Sequence, residues 1–400
     1  MTHRLAKFVA CLLQWPLWLL AACVPRRRDL WLFGAWRGQA YSDNPKYLYE
    51  YLRCHRPPLR AVWITRSRPL CARLRAASLE AHHYLSPQGL YLQLRAGAIF
   101  FTHTPEGEFL GAAVGRAYAC QLWHGTPLKK ILWDDPEHVA SESSRSRRIA
   151  VRLFPWMRNR WDLVVAPSQP VAAIFAETFR GTPVAVTGYP RNDSVVQREV
   201  SAAPRPIRRA IYMPTFRGSA GSADSDAAIN TLFEASGFDV ERLDARCARL
   251  GLELTLRLHP SNRLNEALRQ RIEGSAHIRF DDGDDFYQRI NDYDALITDY
   301  SSVFYDFLLS GKPVIHAGFD VQDYMRETRG FYRPYEAICL TPGLKDWAGV
   351  MATLEGFARQ GLDADYLQRY RQLDAWANQR ADEPFAERVA RCVEARLAGD

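Results

Sequence analysis

None of the eight cysteines (Cys11, Cys23, Cys54, Cys71, Cys120, Cys247, Cys339 and Cys392) stands in a Cys-x-x-Cys pair. Their scatter argues against a zinc site and a disulfide framework, and for a reducing compartment. There is no His-Glu-x-x-His, no Walker lysine loop and no Gly-x-Ser-x-Gly, so the short signatures of zinc proteases, P-loop enzymes and serine hydrolases are missing. Two acidic clusters, Asp134-Asp135 and Asp281-Asp282-Gly283-Asp284-Asp285, lack the long alternating pattern ending in Glu that a calcium loop needs. The second is read instead as charge and cap for a helix starting near Phe286. The arginine-rich run Ser143 to Arg148 has no interleaved aromatics, which makes it an exposed loop or a membrane-facing patch, and no nucleic-acid partner is expected.

A full membrane span is also wanting. The apolar stretch Phe8 to Val24 is broken by Gln14 and Pro16 and falls slightly short of the roughly 20 residues a span takes. Arg4 and Lys7 precede it, and Arg26-Arg27-Arg28 follow it. Leu20-Ala21-Ala22-Cys23 has the form of a lipoprotein cleavage box, but three arginines directly afterwards oppose export. A span stays open as an alternative. The reading with most support is a helix lying in the inner leaflet, with Trp15 and Trp18 at the interface and the arginines on anionic headgroups. In both cases the body of the protein is expected in the cytoplasm, at the inner face of the membrane.

What the chain does have is bulk and alternation. Its 400 residues, 47% hydrophobic, exceed what one core usually holds, so two domains are expected. The net charge of +7 and a pI near 9.0 suit nucleic acid, an anionic membrane or a phosphorylated substrate without choosing among them. Strand-like runs at Asp29 to Trp36, Ala61 to Thr65, Ala98 to Thr102, Tyr118 to Trp123, Leu163 to Ala166 and Val184 to Thr187 alternate with amphipathic stretches. Proline-bearing sequence without periodicity follows, and a second alternating set runs through Ala210 to Met213, Leu252 to Leu258, Ile278 to Phe280, Ala295 to Thr298 and Val314 to His316. The expected organisation is a membrane-associating segment over 1–28, a first Rossmann-like domain over 29–190, a linker over 191–209, a second such domain over 210–343, and helices over 344–400. Two doubly wound α/β sheets facing each other across a cleft would place ligands beyond the carboxyl ends of their strands.

Those strand ends carry the chemistry. The first set delivers Trp123-His124-Gly125-Thr126-Pro127-Leu128-Lys129-Lys130; the second delivers Pro214-Thr215-Phe216-Arg217-Gly218, His259-Pro260-Ser261-Asn262 and Asp299-Tyr300-Ser301-Ser302. An isolated Ser-Ser pair before a helix is first of all a cap, and an isolated histidine is first of all a paired core residue. Arg217 alone would be a solvated surface charge. Together, the hydroxyls and backbone N–H groups at the helix start, the glycine beside His124 and the following lysines suit a phosphate or pyrophosphate, with a histidine to move a proton. His316 has no basic or glycine-rich neighbour and is assigned to packing. Asp306 is in reach of a ribose hydroxyl on paper, with surface helix charge as the simpler account.

With these motifs in order, the chain resembles the CDP-glycerol glycerophosphotransferase family, the teichoic acid primases and polymerases and their relatives in capsule synthesis. Trp31-Leu32-Phe33-Gly34 and Tyr41-Ser42-Asp43-Asn44 look like its N-terminal segment, and Asp320, Tyr324 and Arg329-Gly330-Phe331-Tyr332 like its C-terminal one. The resemblance implies a GT-B-like architecture and attachment to the cytoplasmic membrane face. It further implies a CDP-polyol such as CDP-glycerol as donor, with no cofactor and no metal, and a lipid-linked or polysaccharide acceptor. Carried over, His124 and His259 are the catalytic candidates, with His124 as general base. His259, Thr215, Arg217, Asp299, Ser301 and Ser302 would hold the donor phosphates and nucleotide, while Asp43, Asn44, Gly125, Thr126 and Lys129 would serve the acceptor side or play accessory parts. The alternatives are a nucleotide-sugar glycosyltransferase on the same fold and a non-catalytic membrane-bound scaffold; intact His124 and Ser301-Ser302 speak against the latter.

Overall fold

Strands that are apolar along their whole length can be satisfied only when both faces of a sheet are covered. Ala96–Phe101 and Ala295–Thr298 are of this kind, and every residue in both is buried. The computed structural model describes residues 8–217, 223–259, 261–281 and 283–399. Arg4, Lys7, Gly218, Pro260 and Asp282, named above, lie outside the described residues.

The chain forms two compact units. The first takes the residues up to His124, Ile131–Asp193, and those from Gln379 onward. Its sheet has seven parallel strands: β1 (Arg27–Phe33), β2 (Arg60–Thr65), β3 (Ala81–His83), β4 (Ala96–Phe101), β5 (Tyr118–Gln121), β6 (Leu163–Ala166) and β7 (Val184–Val186), in the order β3-β2-β1-β4-β5-β6-β7. Trp31, Phe33, Trp63 and Phe100 fill one face of it, against helix Asp43–His55 and the last helix, Phe385–Gly399. The second unit takes Gly125–Lys130 and Ser194–Asn378. Its five parallel strands, β8 (Arg209–Met213), β9 (Glu253–Leu256), β10 (Ile278–Phe280), β11 (Ala295–Thr298) and β12 (Val314–His316), run β10-β9-β8-β11-β12. Both sheets are therefore the parallel α/β kind expected.

Strand order locates the crevices. The first sheet grows outward from β1 to β3, then restarts on the other side at β4; the second does the same at β8 and β11. At such a reversal the connections leave in opposite directions, opening a gap beyond the carboxyl ends. The loops after β8 and β11 carry Thr215, Arg217 and Asp299 to Ser302. Those after β1 and β4 carry Trp36, Thr102 and His103.

Several strands stop earlier than expected. The first ends at Phe33 because Trp36 and Arg37 adopt positive φ (50° and 56°), and β5 ends at Gln121, two residues before Trp123 at φ 56°. β9 ends at Leu256, not Leu258. A left-handed residue cannot continue a ladder, so the carboxyl ends of β1 and β5 turn away from their sheet.

The N-terminal segment also departs from expectation. Among the described residues no helix is long and apolar enough to cross a membrane. Helix Trp15–Cys23 carries Pro16 in its first turn, where a missing N–H costs nothing. Trp15 and Trp18 both pack on Trp156, with ring centroids 5.3 and 5.7 Å away. The arginine block is used inside the protein as well. Arg26 donates to the carbonyls of Gln93 (2.9 Å) and Ala113 (3.1 Å), and Arg27 pairs with Asp29.

Helix Trp347–Gln360 ends on Gly361 with φ 82° and ψ −164°, a combination open essentially to glycine alone, and an added Cβ would lie 1.9 Å from the Ala202 carbonyl oxygen. Gly361→Ala is expected to lower stability by about 2–3 kcal/mol, read as a reduced urea midpoint with an unchanged m-value.

Candidate active site

In the second unit the site is built around a buried guanidinium. Arg217 leaves β8 and is not the solvated surface charge that its isolated sequence suggests; it is 6% exposed. Its Nε donates to Asp320 (2.8 Å), one terminal nitrogen to Asp299 (2.7 Å) and Asp320 (3.0 Å), and the other to the Thr215 carbonyl (2.8 Å). The guanidinium also lies over the rings of Tyr300 and Tyr324, 5.1 and 4.8 Å from their centroids. Planar, multidentate donation of this kind is what arginine offers and lysine does not.

Asp299 is the complementary anion. It accepts from the Thr215 N–H (2.8 Å), the Thr215 hydroxyl (2.6 Å) and the Tyr300 N–H (2.5 Å) as well as from Arg217. Burial pushes its carboxyl up, but the Arg217 charge and these hydrogen bonds outweigh that and hold it below its ordinary value. The turns after β8 and β11 are thereby tied together. Tyr300 donates to Asp320 (2.9 Å) and stacks on Tyr324 at 4.1 Å, and Tyr324 in turn accepts from the Lys129 ammonium. Burial lowers the Lys129 amine to about 8, with Asp299 opposing and Arg329 and Arg217 assisting. Residues 128–130 pair with 330–332 through Lys130 N–H to the Gly330 carbonyl (2.9 Å) and Tyr332 N–H to the Leu128 carbonyl (3.1 Å). Thr126 is buried, with a hydroxyl that finds no hydrogen-bond partner among the described residues.

Helix Val303–Leu308 follows β11, and no side chain caps it. The capping role that a Ser-Ser pair would ordinarily fill is thus not what Ser301 and Ser302 perform. Both are partly exposed. His259, beyond β9, accepts the Ser261 N–H on its Nδ1 (3.1 Å) and packs against Phe216 at 5.0 Å. Neutral His259 therefore carries its proton on Nε2, and burial keeps its pKa below the ordinary value. Asn262 ties the neighbouring loop to Arg217, accepting its N–H at 3.3 Å.

Two assignments change. Asp306 is neither surface charge nor open to a ligand: it is fully buried and accepts the Tyr287 hydroxyl at 2.5 Å. Asp285 does cap the turn at Phe286–Gln288, as expected, while Asp281 is buried in ion pairs with Arg257 and Arg289. His316 is packing, as assigned: it is buried, takes the Leu340 N–H on Nδ1 (3.2 Å), and burial lowers it to about 3.

In the first unit His124 has the opposite tautomer. Its Nδ1 lies 3.1 Å from the Thr102 carbonyl oxygen, which can only accept, so Nδ1 bears the proton and Nε2 the basic lone pair. His103 stacks on His124 at 4.8 Å and 9°, and Trp36 flanks both rings. Below them the buried Glu108 accepts from the Thr102 and His103 N–H groups (3.2 and 3.0 Å) and the Thr102 hydroxyl (3.0 Å). Asp43 and Asn44 are buried beside the turn. Asn44 donates to the Leu122 and Trp123 carbonyls, and Asp43 pairs with Arg191 at 2.7 Å. Sequence reasoning did not single out His103, Glu108 or Arg191. The one available signal was position: His103 follows β4 at the switch point.

A family model described as CDP-Glycerol:Poly(glycerophosphate) glycerophosphotransferase matches residues 17–395. A teichoic acid poly(glycerol phosphate) polymerase of Bacillus subtilis is 28% identical over 80% of this chain and 43% of its own length, so the chain spans less than half of that relative. A teichoic acid glycerol-phosphate transferase of Staphylococcus aureus is 27% identical over 77% of this chain and 79% of its own. A teichoic acid ribitol-phosphate primase of Bacillus spizizenii is 25% identical over 84% of this chain and 85% of its own. Among solved structures, a variant of the wall teichoic acid polymerase TagF superposes with a TM-score of 0.71 at 20% identity, over 94% of this chain and 90% of that one.

Removing Asp299 leaves a buried guanidinium half-compensated. Asp299→Ala is expected to cost about 3–5 kcal/mol. The sign with pH follows from the lowered carboxyl: its contribution is complete above the ordinary value of 3.8 and is lost as pH falls through the lower folded value. Urea midpoints measured from pH 6 down to pH 3 should show an acid-labile component in the wild type that Asp299→Asn lacks.

Proposed function

The chain belongs to the CDP-glycerol:poly(glycerophosphate) glycerophosphotransferase family, and from that premise we propose that it transfers glycerol phosphate, or a related polyol phosphate, from its CDP derivative to a hydroxyl of a membrane-linked or capsular polymer. The acceptor oxygen attacks the β-phosphorus of CDP-glycerol. The new O–P bond forms as the bond to the bridging oxygen breaks, CMP leaves with that electron pair, and the acceptor proton passes to His124 Nε2. The observation that carries this reading is the pair of opposed tautomers. His124 is held with its lone pair on Nε2, and His259 with an Nε2–H to donate to a phosphate oxygen. Two titratable groups pushed toward opposite roles mark a base and an acid or electrophile.

Charge that develops on the leaving CMP is offset by the His259 N–H, the Ser301 and Ser302 hydroxyls and the first N–H groups of helix Val303–Leu308. Arg217 and Asp299 serve chiefly by holding these loops in place, since most of their hydrogen bonds go to one another, Asp320 and Thr215. The relatives include glycerol- and ribitol-phosphate enzymes, so the polyol is decided by assay. With CDP-glycerol, CDP-ribitol and UDP-sugars tested in parallel, nucleotide release should be acceptor-dependent and confined to CMP from a CDP-polyol, and His124→Ala should lower it by about 10²- to 10⁴-fold. Release of UDP instead would transfer the fold to sugar chemistry. No turnover with any donor would favour a scaffold.

The same proposal places the protein on the anionic inner face of a membrane. Leu13 (74%), Leu19 (61%) and Leu20 (50%) are exposed on the N-terminal segment. Beside the Phe154–Trp156 cluster that holds this segment, helix Arg145–Leu153 exposes Ile149 and Leu153 among Arg145, Arg148 and Arg152. An apolar patch rimmed by arginine is suited to peripheral binding. Burying a leucine gains about 1.5–3 kcal/mol, so Leu13→Gln with Leu19→Gln should weaken sedimentation with phosphatidylglycerol vesicles at least tenfold; binding unchanged by the pair, or equal on phosphatidylcholine, would overturn the placement.

A further inference from the structure

Among the described residues of the first unit, seven other than glycine hold positive φ, and four of these, Trp36, Arg37, Asp43 and Trp123, at 50°, 56°, 65° and 56°, belong to the segments that meet at His124. Such a conformation costs an L-residue about 1–2 kcal/mol, and it persists only where the surroundings enforce it. Around His124 the enforcement is visible. The carbonyls of Leu122, Trp123 and His124 are three in succession, and each accepts a hydrogen bond from a buried side chain. Asn44 Nδ2 donates to the first two at 3.0 and 3.1 Å, and an Arg191 terminal nitrogen donates to the third at 3.0 Å. The two clamps are joined to each other: the Arg191 N–H donates to Asn44 Oδ1 (3.2 Å), and the same guanidinium nitrogen pairs with Asp43 (2.7 Å). Asp43 and Arg191 are 5% and 3% exposed.

We infer that Arg191 is a positioning residue for His124, and that the Asp43–Arg191 pair with Asn44 exists to hold the turn that fixes the His124 tautomer. The link is geometric. Nδ1 reaches the Thr102 carbonyl at 3.1 Å only while the Trp123 to Gly125 backbone keeps its left-handed path, and the three carbonyl bonds keep it there. Arg191 touches neither donor nor acceptor in this scheme. It bonds the carbonyl of the base and acts through it. Asp43 and Asn44, assigned on resemblance to the acceptor side, take part as struts for the same turn. This inference rests on the transfer reading for its kinetic consequence, though not for its structural one.

Lysine at 191 keeps the charge facing Asp43 but cannot span the carboxylate and the His124 carbonyl together as the planar guanidinium does. Arg191→Lys should therefore lower kcat for CMP release about 10- to 100-fold while leaving KM for CDP-glycerol within twofold, since a 1 Å displacement of a reacting group has an effect of that order. In a His124→Ala background the same substitution should add nothing further. Asn44→Ala, which removes two of the carbonyl bonds without touching a charge, should behave alike and serves if Arg191→Lys fails to fold. The independent readout needs no substrate: ¹⁵N-histidine spectra, with the His124 signal identified by its loss in His124→Ala, should show an Nδ1–H tautomer in the wild type and a mixture in either folded variant. An unchanged tautomer overturns the inference, as does a kcat loss that persists in full without His124. If the wild type releases no CMP but the tautomer shifts as described, the transfer reading fails and the positioning role stands.

Discussion

The burial of Arg217 between two carboxylates is the interaction on which the second unit's site depends. Two ionised groups taken out of water are costly, and their attraction offsets that cost only when geometry is good and the remaining donors are satisfied. Here they are, because Asp299 also collects the Thr215 and Tyr300 donors, while Asp320 collects the Tyr300 hydroxyl. The consequence is positional more than energetic. Strands β8 and β11 are hydrogen-bonded neighbours, and the pair forces the turns that leave them to diverge from one fixed point. The open carboxyl-end crevice of a doubly wound sheet is thereby given rigid walls.

The first unit reaches the same end by a different balance. Strained residues lie at the ends of β1 and β5 and at the start of helix Asp43–His55, and at the turn after β5 buried hydrogen bonds to consecutive carbonyls offset the strain. A buried carbonyl must find a donor; a turn that presents three of them inward is fixed as soon as those donors are built. Glu108 does the corresponding service after β4, anchoring Thr102 and His103 and so the carbonyl that His124 bonds. Buried polar networks hold His124 from two sides.

Much of this was legible in the sequence, and the remainder was hidden for a definable reason. Apolar runs and turn residues report local structure, so both sheets and the strand-end positions of His124, Thr215, His259 and Asp299 could be read directly. What could not be read were partners. Arg217 meets Asp320 across 103 positions and Arg191 meets Asp43 across 148, distances over which no periodicity carries information. Arg191 fell among prolines and charges, where composition alone said linker. Asp306 looked like solvated helix charge because its neighbour Tyr287 lies 19 residues away on a separate turn. The N-terminal tryptophans were legible as interfacial residues, and the interface they chose was Trp156. In each case the residue type was informative about chemistry and silent about which surface it would meet.

The arithmetic of charge then constrains how the proposed donor is held. Arg217, Lys129 and Arg329 face Asp299 and Asp320, three cations against two anions, so these groups carry an excess of one positive charge with Lys129 protonated, and none as its amine loses the proton near pH 8. Burial also keeps His259 toward its neutral form. With at most one uncompensated cation among these groups, a pyrophosphate in the second unit would be recognised largely through oriented neutral donors: the His259 N–H, two serine hydroxyls and helix-terminal amides. Such donors lose little to salt screening, which acts on exposed charges over about 8 Å at physiological ionic strength. They also release a product dianion more readily than a clamp of arginines, because each hydrogen bond to water that CMP regains nearly matches the one it gives up. The net positive charge of the chain is consequently available elsewhere, and the exposed arginines of helix Arg145–Leu153 are where an anionic surface would find it.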